Sequence, residues 1–372
     1  MGCNFKIMIR QYIILISVVV ASLIAFASCS SSCARSRCVD VVEPSEPVVV
    51  SDTVRIVVGG DLMQHMPQVN AARTSKGGYD YTPSLKYVAP MFRRADVAII
   101  NLETTLTRSG SYSGYPCFKS PIELADAMVD MGIDIALLAN NHSLDAGATG
   151  LTTTVEELTE RHIAHTGAFS SHDDYEQNKI LYFDARGVRF ALINYTYGTN
   201  GLVPSKSQRV NYIDREKIRE DISLINRDSV DCLIACMHWG VEYQRRQNSE
   251  QRELAKMLKD EGVDIIIGGH PHVVQPFEAD STHVVFYSLG NFVSNQRKRY
   301  CDGGLIAEIE VIRCDTVDYL RFYAMAHPVY VHMPGYQILP RSVGDTLTMT
   351  QEARYRYDLF MSDTESLLYG KR

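Results

Sequence analysis

No apolar run in this chain is long enough to cross a membrane as a helix, since the longest, Tyr12 to Ala27, has ~16 residues against the ~20 required. Clustered basic residues are also missing. With 37 Lys and Arg against 44 Asp and Glu, the net charge is -7, and no stripe of cations offers the phosphate contacts a general nucleic-acid binder needs. Binding of a polyanion would therefore have to be local. A disulfide scaffold is disfavoured by placement: of nine cysteines, Cys3, Cys29, Cys33 and Cys38 fall at the N-terminus, and the remaining five cannot all pair. Cys232 and Cys236 share one strand-like run that holds them ~13 Å apart, too far to bridge, so most of these thiols read as small buried hydrophobes. There is a single tryptophan, Trp239, equally suited to the core or to the wall of a substrate site. No internal repeat is present, and no low-complexity block beyond a short N-terminal stretch.

What is present begins with an address. Lys6 and Arg10 precede the apolar run, which ends in small residues and a cysteine, the pattern of a signal peptide over residues 1–28. Phe26-Ala27-Ser28-Cys29 resembles the lipobox at which bacterial lipoproteins are cleaved and acylated, which would make Cys29 the lipidated mature N-terminus. An uncleaved anchor and a soluble secreted form are the other readings. All three place the remainder outside the cytoplasm; the lipoprotein reading places it in the cell envelope, held to the membrane by its lipid. Residues 29–52, rich in Ser, Val, Pro and Glu, read as a flexible tether.

Beyond the tether, short apolar runs alternate with amphipathic stretches. Strand candidates are Val54 to Val58, Asp96 to Ile100, Asp134 to Leu138, Cys232 to Cys236 and Asp264 to Ile267, with helix candidates at Glu123 to Met131, Thr153 to Arg161 and Ser249 to Glu261. Continuous apolar strands imply sheet covered on both faces, hence an α/β or α+β class. A hairpin joins Ile180 to Asp184 and Arg189 to Asn194 through Arg186-Gly187. After Val284 the pattern turns antiparallel and ends in a helix from about Gln351 to Leu368. The chain reads as one domain over 53–312, which residues 313–372 complete or cap.

One arrangement recurs five times: an apolar strand runs into a polar metal-ligand type at its C-terminal end. The runs lead to Asp61, to Glu103, to Asn141-His142, to His238, and to His270-Pro271-His272. Carboxyl ends of strands form the ligand crevice of open α/β sheets, so these distant residues are expected to converge. Asp61, Glu103, Asn141, His238, His270 and His272 mix carboxylate, amide and imidazole donors without thiolate, a set suited to manganese, iron or zinc in an open site. Six ligands exceed what one tetrahedral ion needs, so two ions are favoured over one.

The segments Gly60-Asp61-Leu62-Met63, Asn101-Leu102-Glu103-Thr104-Thr105-Leu106-Thr107, Asn140-Asn141-His142-Ser143-Leu144-Asp145-Ala146-Gly147, His238-Trp239-Gly240-Val241-Glu242-Tyr243, Gly269-His270-Pro271-His272 and Ser288-Leu289-Gly290-Asn291-Phe292 together resemble the CapA-type poly-gamma-glutamate capsule synthesis family. That resemblance implies the calcineurin-like metallophosphoesterase fold, an α+β four-layer α/β/β/α sandwich with a metal site at one edge. It also implies an anionic polymer or phosphoester as substrate and the capsule synthesis machinery as partner. Ordinary metallophosphoesterases carry Asp-x-His at the first strand. Here Met63 replaces that histidine, and Glu103 stands where Asp usually bridges two ions. In the enzyme reading, two ions activate a water and His142 protonates the leaving group. Asp145 either orients that imidazole or caps the helix beginning near Ala148. Lys119, Glu242 and Tyr243 are candidate substrate contacts, and Asn291 reads as a ligand-supporting or loop-fixing residue. The competing reading is a non-catalytic capsule assembly or export component. His65, His162, His165, His172, His283, His327 and His332 lack ligand-like context and read as solvent-facing or locally hydrogen-bonded.

Overall fold

The computed structural model describes residues 52–108, 110–313 and 319–370. The signal peptide, the lipobox with Cys29 and nearly all of the tether lie outside those residues. Two sheets organise the described chain. The larger has eight strands, in the order Gln337–Pro340, Leu320–His332, Gly303–Arg313, Asp52–Leu62, Val97–Leu102, Ile135–Leu137 and Ala164–Thr166, with Asn291–Val293 added beside Asp52–Leu62. It is parallel from Asp52–Leu62 to Ala164–Thr166 and antiparallel on the other side. The smaller has six, in the order Phe277–Ala279, Val284–Phe286, Ile265–Gly269, Cys232–His238, Val188–Thr196 and Leu181–Ala185. Its four inner strands are parallel and its two edges antiparallel. The Leu181–Ala185 edge is the hairpin expected at Arg186-Gly187, whose φ values of 46° and 76° are those a two-residue type I′ turn requires.

Alternation along the strands builds the layers. Val54, Ile56, Val58 and Ile99 of the larger sheet meet Phe190, Leu192, Ile234 and Ile267 of the smaller. On the opposite face, Val57, Ala98, Ile100 and Ala136 pack on Leu124 and Met128 of helix Glu123–Met131 and Leu151 and Val155 of helix Gly147–Glu160. The outer face of the smaller sheet, through Ile193, Leu233 and Ile266, meets Ile218 and Ile222 of helix Arg215–Ser223 and Leu254 and Leu258 of helix Ser249–Asp260. The order is helix, sheet, sheet, helix, the four-layer α+β sandwich that the resemblance implies. Both faces of the inner strands are buried, at about 1.5–3 kcal/mol per large aliphatic side chain, which is why they read as unbroken apolar runs.

The C-terminal segment belongs to the larger sheet. Leu320–His332 pairs with Gly303–Arg313 throughout, and helix Gln351–Tyr369 buries Tyr357, Phe360 and Met361 against Tyr330 and Leu339. Cys117, Cys232, Cys236 and Cys301 are free, the last three of them buried.

Candidate metal centre

Every parallel strand that ends in a donor delivers it to one edge of the sandwich. Asp61 is the penultimate residue of Asp52–Leu62, Glu103 follows Val97–Leu102, His238 closes Cys232–His238, and His270 follows Ile265–Gly269. Backbone bonds lock these ends together: Asp61 N–H donates to Gly290 O at 2.9 Å, and Glu103 N–H to Leu62 O at 3.0 Å. All six expected ligands are buried and meet. Asn141 Oδ1 lies 2.7 Å from His238 Nε2. Glu103 Oε1 lies 3.9 Å from His238 Nε2 and 3.9 Å from His272 Nε2. Asp61 Oδ2 lies 3.3 Å from His272 Nδ1 and accepts from His270 N–H at 3.3 Å.

Two donor clusters form, Asp61 with Glu103 and His238, and Glu242 with His270 and His272, the donor atoms of each lying within 4.8 Å of one another. Glu242, expected at a substrate position, thus stands among metal-ligand types, although its side chain is exposed. His270 and His272 flank Pro271 with φ of 95° and 57°, and Tyr243, whose N–H donates to Pro271 O at 2.8 Å, has φ of 67°. Left-handed backbone costs a non-glycine residue roughly 1–2 kcal/mol, and here it aims donors inward.

The imidazole donors are in ligand-ready form. Burial, reinforced by neighbouring imidazoles, holds His238 well below the ordinary histidine value and lowers His270 to about 3, so both present neutral nitrogens. Burial, together with the adjacent Asp61 carboxylate, pushes Glu103 well above the usual carboxylate range. Its Oε1 has no hydrogen-bond partner, and neither has the buried His270 Nδ1. A buried carboxylate left uncompensated costs on the order of 3–5 kcal/mol, and a divalent cation between Glu103 and the imidazoles would remove that cost. The residues present therefore fit a metal.

Beside this centre, His142 Nδ1 lies 2.7 Å from Asp145 Oδ2, which also accepts from Phe118 N–H at 2.5 Å. Asp145 is not the helix cap; Ala146 occupies that position. The Phe118 ring stands edge-on to His142, at 4.6 Å between centroids. Lys119 follows Phe118 on the short strand Lys119–Pro121, and among the described residues no contact joins its side chain to the donors. Trp239 is core: it is buried, and its Nε1–H donates to Tyr287 O at 2.9 Å. Asn291 fixes a loop, its Nδ2 donating to Gln296 Oε1 at 3.0 Å and Cys301 O at 3.1 Å.

Three residues escape the sequence reading. Asn101 Nδ2 bridges Asp61 Oδ1 at 2.8 Å and Glu103 Oε2 at 3.2 Å; it opens the Asn101-Leu102-Glu103 segment, yet nothing in that segment tells which carboxylates it meets. Tyr197, just past Val188–Thr196, packs against His270 at 4.4 Å, and its position at a sixth strand end was the available signal. His65 is hydrogen-bonded locally to Gln68, as expected, but is not solvent-facing: it packs edge-on to Phe118 at 4.9 Å, and burial lowers it to about 4.

Neutral imidazoles and buried carboxylates at the carboxyl edge of a four-layer sandwich define a protein with a candidate two-metal centre. The family described as bacterial capsule synthesis protein PGA_cap matches residues 55–296, and the chain belongs to that family. The PGA biosynthesis protein CapA of Bacillus subtilis (strain 168) is 33% identical over 216 residues, 57% of this chain and 56% of that one. The capsule biosynthesis protein CapA of Bacillus anthracis is 28% identical over 258 residues, 66% of this chain and 61% of that one. The matched part covers about three fifths of the length of these relatives. Among solved structures, the NAD nucleotidase of Haemophilus influenzae is similar with a TM-score of 0.48 at 12% identity, over 84% of this chain and 56% of that one.

Proposed function

We propose that the protein is an exported, membrane-anchored, metal-dependent hydrolase that acts on an anionic polymer such as gamma-linked polyglutamate, or on a phosphoester, during capsule synthesis. The observation that carries this reading is Glu103 Oε1, buried, without a hydrogen-bond partner and 3.9 Å from two imidazole nitrogens. Asp61, Glu103, Asn141, His238, His270 and His272 would hold one or two manganese, iron or zinc ions, with Glu242 next to the last two. Such ions supply Lewis acidity and lower the pKa of water. Asp145 orients the His142 ring through Nδ1, leaving Nε2 to give a proton to a leaving group. Asn101 keeps Asp61 and Glu103 in register, and Tyr243, its ring 6.2 Å from that of His272, and Lys119 would contact the substrate.

Met63 favours a second reading, a non-catalytic assembly or export component. A buried thioether occupies the place of an imidazole in ordinary metallophosphoesterases, leaving one ligand fewer. A screen of metal-reconstituted protein against phosphomonoesters, phosphodiesters and polyglutamate, with chelated protein as control, separates the two. Turnover in the reconstituted sample alone is expected. Full metal occupancy with no turnover, alongside capsule production that survives Glu103→Ala, would displace the enzyme reading. The anchor is tested by fractionation, where Cys29→Ser should release the protein from the membrane; unchanged membrane association and mature N-terminal mass would discard lipidation.

A further inference from the structure

Although the chain carries a net charge of -7, the fold gathers cations at one side of the centre from three separated segments. Tyr243 is the link, its ring 6.2 Å from that of His272. Lys298 Nζ lies over the other end of this contact, 4.0 Å from the centroid of the Tyr243 ring. Next to Lys298, the Tyr300 ring is flanked by two guanidinium groups, Arg245 at 4.0 Å and Arg299 at 5.0 Å. Arg297 and Arg299 continue into a groove of about 360 Å³, where Arg356 of helix Gln351–Tyr369 joins them.

Not all of this charge is free. Arg299 is held by Asp363 through two contacts of 3.0 Å, Arg297 by Asp302 at 2.9 Å, and Arg356 lies 3.5 Å from Glu352 and 3.9 Å from Asp302. Five cations, Arg245, Arg297, Lys298, Arg299 and Arg356, stand here against four carboxylates, Asp302, Glu352, Asp363 and, beside Tyr243, Glu242. Among the described residues no carboxylate lies within 4.0 Å of Lys298 or Arg245. Arg245 Nε is buried without a hydrogen-bond partner, and its Nη2 donates to the backbone oxygen of Asp363, at 2.8 Å. The loop is also fixed in advance: Asn291 Nδ2 donates to Gln296 Oε1 and Cys301 O, at its two ends. A cation over an aromatic face, unpaired and on a fixed loop, is ready to accept an anionic oxygen with little ordering cost.

We propose that Tyr243, Lys298 and Arg245, continued by Arg297 and Arg299, form a track that holds an extended polyanion and leads it to the metal centre. The proposal deepens the reading of that centre as one acting on an anionic chain. Carboxylate and phosphate polymers share the chemistry the track recognises, repeated anionic oxygens along one chain. The spacing of cations along the track, rather than one deep pocket, suits a polymer better than a single small anion, because each contact is weak and the sum depends on their number.

The test is fluorescence anisotropy of labelled polyglutamate with the full chain, with and without chelator, using labelled dextran as the neutral control. Binding is expected in both metal states and should weaken as salt rises. Lys298→Ala combined with Arg299→Ala should lower affinity about tenfold or more with metal content unchanged, and Lys298→Arg should retain it. Affinity unchanged in the double variant, or dextran binding equal to polyglutamate, overturns the track. Long-chain polyphosphate, run in parallel, assigns the track to a phosphate polymer if it alone binds and to a polycarboxylate if polyglutamate binds tighter. Glu103→Ala keeps the two ideas apart: loss of metal with polymer still bound supports both, whereas full metal retention sinks the reading of the centre and leaves the track standing.

Discussion

A single oxygen, Asp145 Oδ2, accepts from both His142 and the Phe118 backbone, so one carboxylate fixes the imidazole and the loop that walls it. His142 contributes no donor to either ligand cluster, whereas Glu103 stands at the centre of one. Replacing them should therefore have different consequences. His142→Ala should keep its metal and fold while kcat falls by ~10² to 10⁴ with little change in KM, as for a lost general acid. Metal analysis beside kinetics decides it, and stripping of metal in His142→Ala to the same degree as in Glu103→Ala would make His142 a ligand instead. At this scale the donors were legible because each ends an apolar run. His65 was not, because its place depends on Phe118, which arrives from a segment more than 50 residues away and carries no motif of its own.

At the scale of elements, the approach between strand ends is set by residues without side chains. A Cβ on Gly269 would sit 2.8 Å from Asp61 Oδ1 and 3.5 Å from His238 Nδ1, so glycine here makes room for a ligand of the other sheet. Gly269→Ala should leave the fold intact and weaken metal affinity by about 10- to 100-fold, the effect typical of displacing a ligand's support. Competition with a chelator of known affinity measures this, and wild-type affinity would show that the two sheets do not need so close an approach. The helix Glu123–Met131 was readable to its ends from its apolar spacing. Helix Gly147–Glu160 begins within one residue of the start expected near Ala148, but six before the apolar spacing that begins at Thr153, since its first turn, Gly147-Ala148-Thr149-Gly150, has no large apolar side chain to extend that spacing. Strand Leu320–His332 runs on through Pro328, where a sequence pattern argues against continuation.

Over the whole molecule, the two sheets each provide one part of the centre: Asp61, Glu103 and Asn141 come from the larger, His238, His270 and His272 from the smaller. Convergence of strand ends was expected from the general rule for α/β crevices, but which donors would face each other depends on how two sheets pack, which no local pattern encodes. The track of cations beside the centre was invisible for the same reason, its members lying in segments that are each unremarkable in an acidic chain. Such a division also couples metal to the packing of one sheet on the other, since ligands from both sides must be in place at once. The central claim, that this edge is a metal site, is met most directly by elemental analysis of protein purified without chelator and then offered manganese, iron and zinc. The account predicts at least one ion per chain in the wild type and loss of it in Glu103→Ala, whereas less than ~0.2 ion per chain after reconstitution would contradict it.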